Sequence, residues 1–434
     1  MNFKELFNKG FLVIFVRIGG AAITFFSVLF LARILDTEAF GTYSLSLTII
    51  TLVSVFARFG LDNVNLKQVA SYLEESEDVA LGYIYTSFKL IVIIGTALSL
   101  IIFFYSNEIA YYIFNKPSLE KPLHYFSFLI VPSALLYLFA AVFKSFGQPV
   151  YSIFVQNILV PLFLIIFVCL IYIFNFLSIT NIIFIIISSH IIAIIIFFIT
   201  LHKKHPISSV NKIPFQKLIY EGWPMLLISS GSLIMGYTDI IILGIFCSES
   251  DVGIYTVASK SVMIASLILV AINSITAPLY AKYFYQKDIH SLEYLAKQTS
   301  VLLLIIAISF FCIFYIFATY IMGWFGSTYI KGSSILIVLS VGQFFIVASG
   351  SVSYLLSMTG KENTFKNILL VSAALNIILN LILVKTMGAI GVAYATVLST
   401  FIWNIWSMYA VKRHLGFWTL NIFSLLKGKR KEVT

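Results

Sequence analysis

A few ionisable side chains interrupt the long apolar runs of this chain: Arg17, Arg58, Lys89, Asp239 and Lys260, with His190 as a weaker case. An ionised group at the centre of a bilayer costs roughly 2.5–3.5 kcal/mol on insertion scales, so each needs a partner or a wet cavity. Arg17 shares a helical face with Gly20, Ala21, Thr24 and Ser27, and Arg58 closes a similar polar stripe with Ser44, Thr48, Thr51 and Ser54. Asp239 continues Gly236, Ser232 and Ser229, and Lys260 stands one turn past Thr256. Three or four cations against one carboxylate make an electropositive lining, which concentrates an anion and lowers its desolvation cost. Arginine can fork onto phosphate oxygens with two hydrogen bonds. The expected chemistry is therefore binding of an anionic, phosphorylated group, with Arg17, Arg58, Lys89, Lys260, Thr24 and Ser54 lining a cavity. Asp239 and Lys260 would form a neutralising ion pair or a gate. A plainer reading stands beside this one: small and polar residues glue helices together, Arg58 snorkels from the end of its run to headgroups, and His190 is a satisfied core histidine.

Enzyme signatures are missing. There is no HExxH, no phosphate-binding loop and no closely spaced carboxylate pair within a span. Gly388-Ala-Ile-Gly391 opens a helix without a preceding strand, so it is read as close helix packing rather than a nucleotide fingerprint. No loop is long enough to hold a soluble catalytic domain. The expectation is a protein that is not an enzyme, with no catalytic residues, no metal and no cofactor. Cys169, Cys247 and Cys312 imply no disulfide framework.

The elements that must position these residues follow from composition. The chain is 60% hydrophobic and only 11% charged, with a mean hydropathy of +1.01, whereas a soluble domain carries roughly 25% charged residues. Lipid must cover it. Twelve runs of about 20 residues, the length that spans a bilayer, fall near 11–32, 40–60, 79–105, 122–145, 150–174, 180–201, 221–246, 253–283, 299–322, 332–357, 364–385 and 388–411. The runs are continuous rather than alternating, which excludes barrel strands. With the N-terminus inside, Arg33, Lys116, Lys121, Lys331 and Lys385 are the only outer-loop cations. The inner set, including Lys203, Lys204, Lys212, Lys217 and the tail Lys427-Gly-Lys-Arg-Lys431, is several times larger. That bias places both termini in the cytoplasm and accounts for the net charge of +10 without nucleic acid. The first run resembles a signal peptide but continues past its small residues, and is read as an uncleaved helix.

The chain also repeats. Leu35-Asp-Thr-Glu-Ala-Phe-Gly41-Thr-Tyr43 is echoed by Cys247-Ser-Glu-Ser-Asp-Val-Gly253-Ile-Tyr255, an offset of 212 (253 − 41), and Gly147 is echoed by Gly360 at 213 (360 − 147). Two six-helix lobes follow, 1–205 and 219–411, joined by a basic linker at 206–218. An even number of spans in each relates the lobes by a pseudo-two-fold along the membrane normal. Amphipathic cytoplasmic helices are expected at 61–78 and near 289–296, and an interfacial helix in the basic tail 412–434.

Leu31-Ala-Arg-Ile-Leu35, Phe40-Gly-Thr-Tyr43, Phe59-Gly-Leu-Asp-Asn63 and Lys67-Gln-Val-Ala70, with the Gly388-Ala-Ile-Gly391 opening, resemble the polysaccharide-export flippases. These are Wzx-type members of the multidrug/oligosaccharidyl-lipid/polysaccharide (MOP) superfamily. The resemblance covers essentially the whole chain. It implies an all-α, MATE-like membrane fold of about twelve helices. The implied activity is transfer of an undecaprenyl-pyrophosphate-linked oligosaccharide, such as an O-antigen repeat unit, from the cytoplasmic to the periplasmic leaflet of the bacterial inner membrane. The implied route is alternating access of the two lobes around a cationic cavity, driven by a proton or sodium gradient or by downstream assembly with a polymerase and chain-length machinery. Arg17 and Arg58 match arginines that meet the pyrophosphate, and Asp62 is a gating or helix-capping residue at the cytoplasmic mouth. The alternatives are a MATE-like multidrug exporter, a lipid II flippase, and, from another class, a membrane glycan polymerase or ligase.

Overall fold

The computed structural model describes residues 3–73, 75–176, 178–204 and 213–420, with side chains except at 3–11, 204 and 228–235. Every regular element among them is helical, and ten helices are long and apolar enough to cross a bilayer. This is a multi-pass membrane protein with an all-α fold. Of the twelve runs expected from sequence, 221–246 lies inside the helix Phe215–Phe246, and both 364–385 and 388–411 lie inside Glu362–Leu415. That last element is not one rod. It bends at Gly388 (φ 60°, ψ −138°), a Cβ on Gly391 would overlap the Leu383 carbonyl, and Asn376 donates to Ser399 at 3.1 Å. On a straight helix residues 376 and 399 would stand about 34 Å apart, so the segment is an antiparallel hairpin.

The chain forms two compact units, Met1–Gly253 and Ile254–Thr434. The first contains α1 (Phe3–Ile34), α2 (Thr37–Arg58), α3 (Leu61–Tyr72), α4 (Glu77–Phe104), α5 (Ile130–Ser145), α6 (Val160–Ile173), α7 (Ile179–Lys204) and α8 (Phe215–Phe246). α9 (Glu249–Val262) begins there and continues into the second unit, which holds α10 (Ile264–Tyr285), α11 (Ile289–Ile316), α12 (Ser333–Ala348), α13 (Val352–Met358) and α14 (Glu362–Leu415). The first unit runs past the basic segment 206–218 because α8 docks on α2 and α3. Residues 205–212 of that segment, and 421–434 of the tail, lie outside the described residues.

Within the first unit α2 packs on α4, α5 and α8, and α3 on α4 and α5. α3 buries Leu61, Val64, Asn65 and Val69, and Asn65 donates to Ser87 of α4 at 2.6 Å. Leu66 of the same helix is 38% exposed. The second expected cytoplasmic helix is not separate: residues 289–296 are the first turns of α11. In the second unit a buried cluster of Tyr280, Leu292, Leu355, Leu356, Ile368 and Val411 ties α10, α11, α13 and both arms of α14 together.

The repeat is written into the backbone. α4 and α11 are each 28 residues long, with starts (289 − 77) and ends (316 − 104) both offset by 212. The residues that follow them match closely, Tyr105 at φ −100°, ψ 16° and Phe317 at φ −103°, ψ 15°. Gly147 and Gly360 both turn left-handed, at φ 71° and 72°. The echoed acidic loops meet: a Cβ on Gly41 would overlap the Glu249 carbonyl, and one on Gly253 would lie 2.5 Å from the Thr37 carbonyl. Since 249 is 37 + 212 and 253 is 41 + 212, the contact is reciprocal. The Gly-x-Tyr echo is thus a backbone crossing that admits no side chain. Asp36 caps α2 through the Ala39 amide at 2.7 Å. Ser248 and Asp251 exchange backbone–side-chain bonds of 3.2 Å at the start of α9, a capping box.

Candidate functional site

A charged constellation in the first unit grows from the break between α2 and α3. Phe59 (φ 51°) and Gly60 (φ 71°) are both left-handed. For a phenylalanine that conformation is strained, at about 1–3 kcal/mol. The surroundings hold it: a Cβ on Gly222 of α8 would lie 2.6 Å from the Phe59 carbonyl, and one on Gly60 would lie 2.5 Å from the Leu226 amide nitrogen. Only two glycines allow the backbones to cross here. The break puts Arg58 at the end of one helix and Asp62 in the first turn of the next.

Arg58 is 6% exposed. Its Nη1 donates to Asp62 Oδ2 at 3.3 Å, its Cζ lies 4.1 Å from the Tyr137 ring centroid, and its Nε has no acceptor. Tyr137 comes from α5, and Tyr237 of α8 lies within the electrostatic reach of both Arg58 and Tyr137. Lys144, at the end of α5, is coupled electrostatically to Arg17 and Asp62. The structure thus gathers Arg58 and Asp62, and adds Tyr137, Tyr237 and Lys144, which sequence reasoning passed over.

The other expected residues are placed as follows. Arg17 is exposed on α1 and makes no hydrogen bond or ion pair among the described residues. Its stripe is partly a packing face, since a Cβ on Gly20 would press on Asn157. Thr24 donates to the Gly20 carbonyl at 2.8 Å. Ser54 is fully buried, donates to the Thr51 carbonyl at 2.7 Å and accepts from Ser133 at 3.5 Å, so it seals α2 against α5 rather than facing a cavity. Hydroxyls on helices are readily taken up by carbonyls one turn back, which spacing alone does not reveal. Lys89 is exposed and stands 4.3 Å over the Tyr85 ring, one turn back on α4. His190 bonds the Ile186 carbonyl at 2.8 Å through Nδ1, the satisfied-histidine outcome. Asp239 belongs to the first unit and Lys260 to the second.

Two further polar clusters are built mainly from residues other than the charges inside spans. Near the start of α8, Glu221 accepts from Gln68 at 3.2 Å and from the Tyr83 hydroxyl at 3.4 Å. Tyr83 stacks on Tyr72 at 6.0 Å, and the bond from Lys217 to its hydroxyl holds that lysine above the ordinary lysine range. In the second unit Asn380 donates to Asn376 and Asn376 to Ser399, both at 3.1 Å. Ser349 donates to Asn404 at 2.7 Å, and Gln343 donates to Ser266. Amides spaced four apart in an apolar run were the available signal. Among the described residues no three of His, Cys, Asp and Glu converge as a metal set. What the first-unit group can do chemically is hold an anion, because a buried guanidinium with one long carboxylate contact has unused donors.

Comparisons with known proteins agree with this frame. The fold is that of the MOP-superfamily transporters. A multidrug resistance MATE family transporter in its inward-facing conformation superposes with a TM-score of 0.78 at 12% identity, covering 94% of this chain and 98% of its own. The lipid II flippase MurJ in an inward closed conformation gives 0.76 at 17% identity, covering 93% and 87%. Among curated sequences, an uncharacterized membrane protein of Methanocaldococcus jannaschii is 25% identical over 88% of this chain and 79% of its own length. A probable low-salt glycan biosynthesis flippase of Haloferax volcanii is 27% identical over 39% of this chain and 36% of its own length. The model of the polysaccharide biosynthesis protein family matches residues 6–284 of the 434. With more than half its length matched, this chain belongs to the polysaccharide biosynthesis protein family.

Proposed function

We propose that this protein is a flippase for a lipid-linked glycan and that Arg58 meets the phosphate of the lipid headgroup. The observation that carries the reading is the Arg58 group: a guanidinium 6% exposed, steadied by the Tyr137 ring, with one carboxylate contact at 3.3 Å and its Nε unbonded. A charge so buried inside a membrane protein is costly, and an incoming phosphate supplies the acceptors it lacks. Family membership and a relative described as a glycan biosynthesis flippase point to the same cargo class.

In its finer form the proposal is Wzx-like. An undecaprenyl-pyrophosphate-linked oligosaccharide passes from the cytoplasmic to the outer leaflet of a bacterial inner membrane, and both termini are cytoplasmic. The lobes 1–205 and 219–411 alternate access, with 206–218 as their linker. Arg17, Lys89 and Lys260 add positive charge along the path, Asp239 and Lys260 gate it, and Asp62 controls the inner mouth. Transport draws on a proton or sodium gradient or on a polymerase that removes the product.

Complementation tests this. The gene should restore surface polysaccharide in a strain lacking its own flippase, and Arg17→Ala and Arg58→Ala should abolish the rescue while the protein remains folded and inserted. Rescue by both variants at the wild-type level would refute the role of these cations. The fold likeness to a MATE transporter favours multidrug export as the second reading. That function predicts resistance to lipophilic cationic dyes on overexpression and no glycan phenotype.

A further inference from the structure

We propose that Asp62 is an exchangeable counter-ion, a stand-in that occupies part of the phosphate position on Arg58 and is displaced when the headgroup arrives. The inference rests on the phosphate reading above and adds a role for the carboxylate. Four observations carry it. The Arg58–Asp62 contact is single and long, one Nη1–Oδ2 distance of 3.3 Å, whereas a firm guanidinium–carboxylate pair is forked at about 2.7–2.9 Å. Arg58 keeps an unbonded, buried Nε beside that contact, so the acceptor now present does not saturate the donor. The guanidinium does not depend on Asp62 for its place, because the Tyr137 ring lies 4.1 Å from Cζ and a cation held over a ring keeps its position when a partner leaves. Finally, the carboxylate has somewhere to go. Its side chain is 17% exposed, it lies in the first turn of α3 where the helix dipole favours an anion, and it is coupled to Lys144.

The arrangement has a consequence for selectivity. In the resting site one positive and one negative charge cancel, so a weak monoanion gains little by entering. A ligand that brings two or more negative charges and several oxygens on adjacent phosphorus atoms can displace the carboxylate, saturate Nε and both Nη groups, and leave the site net negative by only the excess. The chemical class favoured is a pyrophosphate, or a phosphate with a neighbouring acidic group, over a carboxylate or sulfonate lipid. Return of Asp62 to Arg58 then drives release, so the residue is a positioning and exchange group rather than a ligand.

The test uses the full chain in lipid nanodiscs with inorganic pyrophosphate as the probe, binding being read by isothermal titration. Asp62→Asn should bind pyrophosphate about tenfold tighter than wild type, the order expected when one competing ion pair is removed. Asp62→Glu should bind like wild type, and Arg58→Ala should not bind. In complementation Asp62→Asn should export less despite its tighter grip. If Asp62→Asn does not fold, Asp62→Ser is measured in its place with the same expectation. Unchanged or weaker binding in the neutral variant, with binding still lost in Arg58→Ala, would overturn the exchange role and leave the phosphate reading standing. Wild-type binding by Arg58→Ala would instead remove the phosphate reading, and the exchange with it.

Discussion

Replacing Arg58 by lysine separates charge from geometry. The variant keeps a cation at the end of α2 but loses the planar fork. The ammonium can still approach Asp62, which now sits 3.3 Å from Nη1, and can still lie over Tyr137. It cannot present two parallel N–H groups to one phosphate. A hydrogen bond to a charged group is worth about 1.5–3 kcal/mol, and the difference between a guanidinium and an ammonium over Tyr137, where Cζ now lies 4.1 Å from the ring centroid, adds a part of the 0.5–2 kcal/mol typical of such contacts. A loss of about 2 kcal/mol in the loaded site is therefore a fair lower figure, and at 1.4 kcal/mol per decade it slows uptake roughly thirtyfold. The assay is reconstitution in liposomes with a labelled lipid-linked oligosaccharide, following the glycan as it becomes accessible to a membrane-impermeant lectin. Thermal scanning runs in parallel to show that the variant is folded. Transport by Arg58→Lys within threefold of wild type would show that charge alone is read, and the forked contact would have to be abandoned.

Gly41→Ala should abolish the folded state, because the added methyl overlaps the Glu249 carbonyl and backbone cannot yield as a side-chain tip can. Size-exclusion profiles after solubilisation report this, and a monodisperse peak with an unchanged melting point would contradict the crossing. For Asp239 and Lys260, Asp239→Asn with Lys260→Met should transport better than either single variant if the two pair; losses that simply add would dissolve the proposed gate. Asp288 caps α11 by accepting from Ser291 at 3.0 Å, and that bonding to its carboxylate holds its pKa below the ordinary value. Its folded pKa is the lower one, so its stabilisation is complete above the unfolded pKa and is lost as pH falls through the folded value. The melting-point gap between wild type and Asp288→Ala should therefore be constant near neutrality and shrink on acidification below about pH 4; a gap independent of pH would mean that the carboxylate charge is idle.

How much of this was legible in the chain depends on the range of the interaction that writes it. The membrane class, the positions of the spans and the internal repeat are local matters, set by runs of Leu, Ile, Val and Phe and by motifs copied 212 residues apart. The same offset of 212 reappears in the fold, where α4 and α11 are of equal length to the residue. Even the Gly-x-Tyr echo was visible, although not that its glycines exist because two backbones touch there.

The site was legible only in part. Arg58 and Asp62 stand four apart, so a helical reading could join them, but the Phe59–Gly60 break that re-aims them is a response to Gly222 on a helix more than 150 residues away (222 − 60 = 162). Tyr137 meets Arg58 across 79 positions (137 − 58), and no periodicity encodes such a pair. Ser54 has the residue type of a cavity lining and the burial of a packing seam. Hydropathy and period determine which side chains share a helix face, since both are properties of neighbours in sequence. Which face meets which is decided by close packing among helices distant in sequence, and so the three-dimensional fold alone determined that α8 docks on α2 and α3, that an asparagine seam runs through the second unit, and that a single arginine lies under a tyrosine ring with donors to spare.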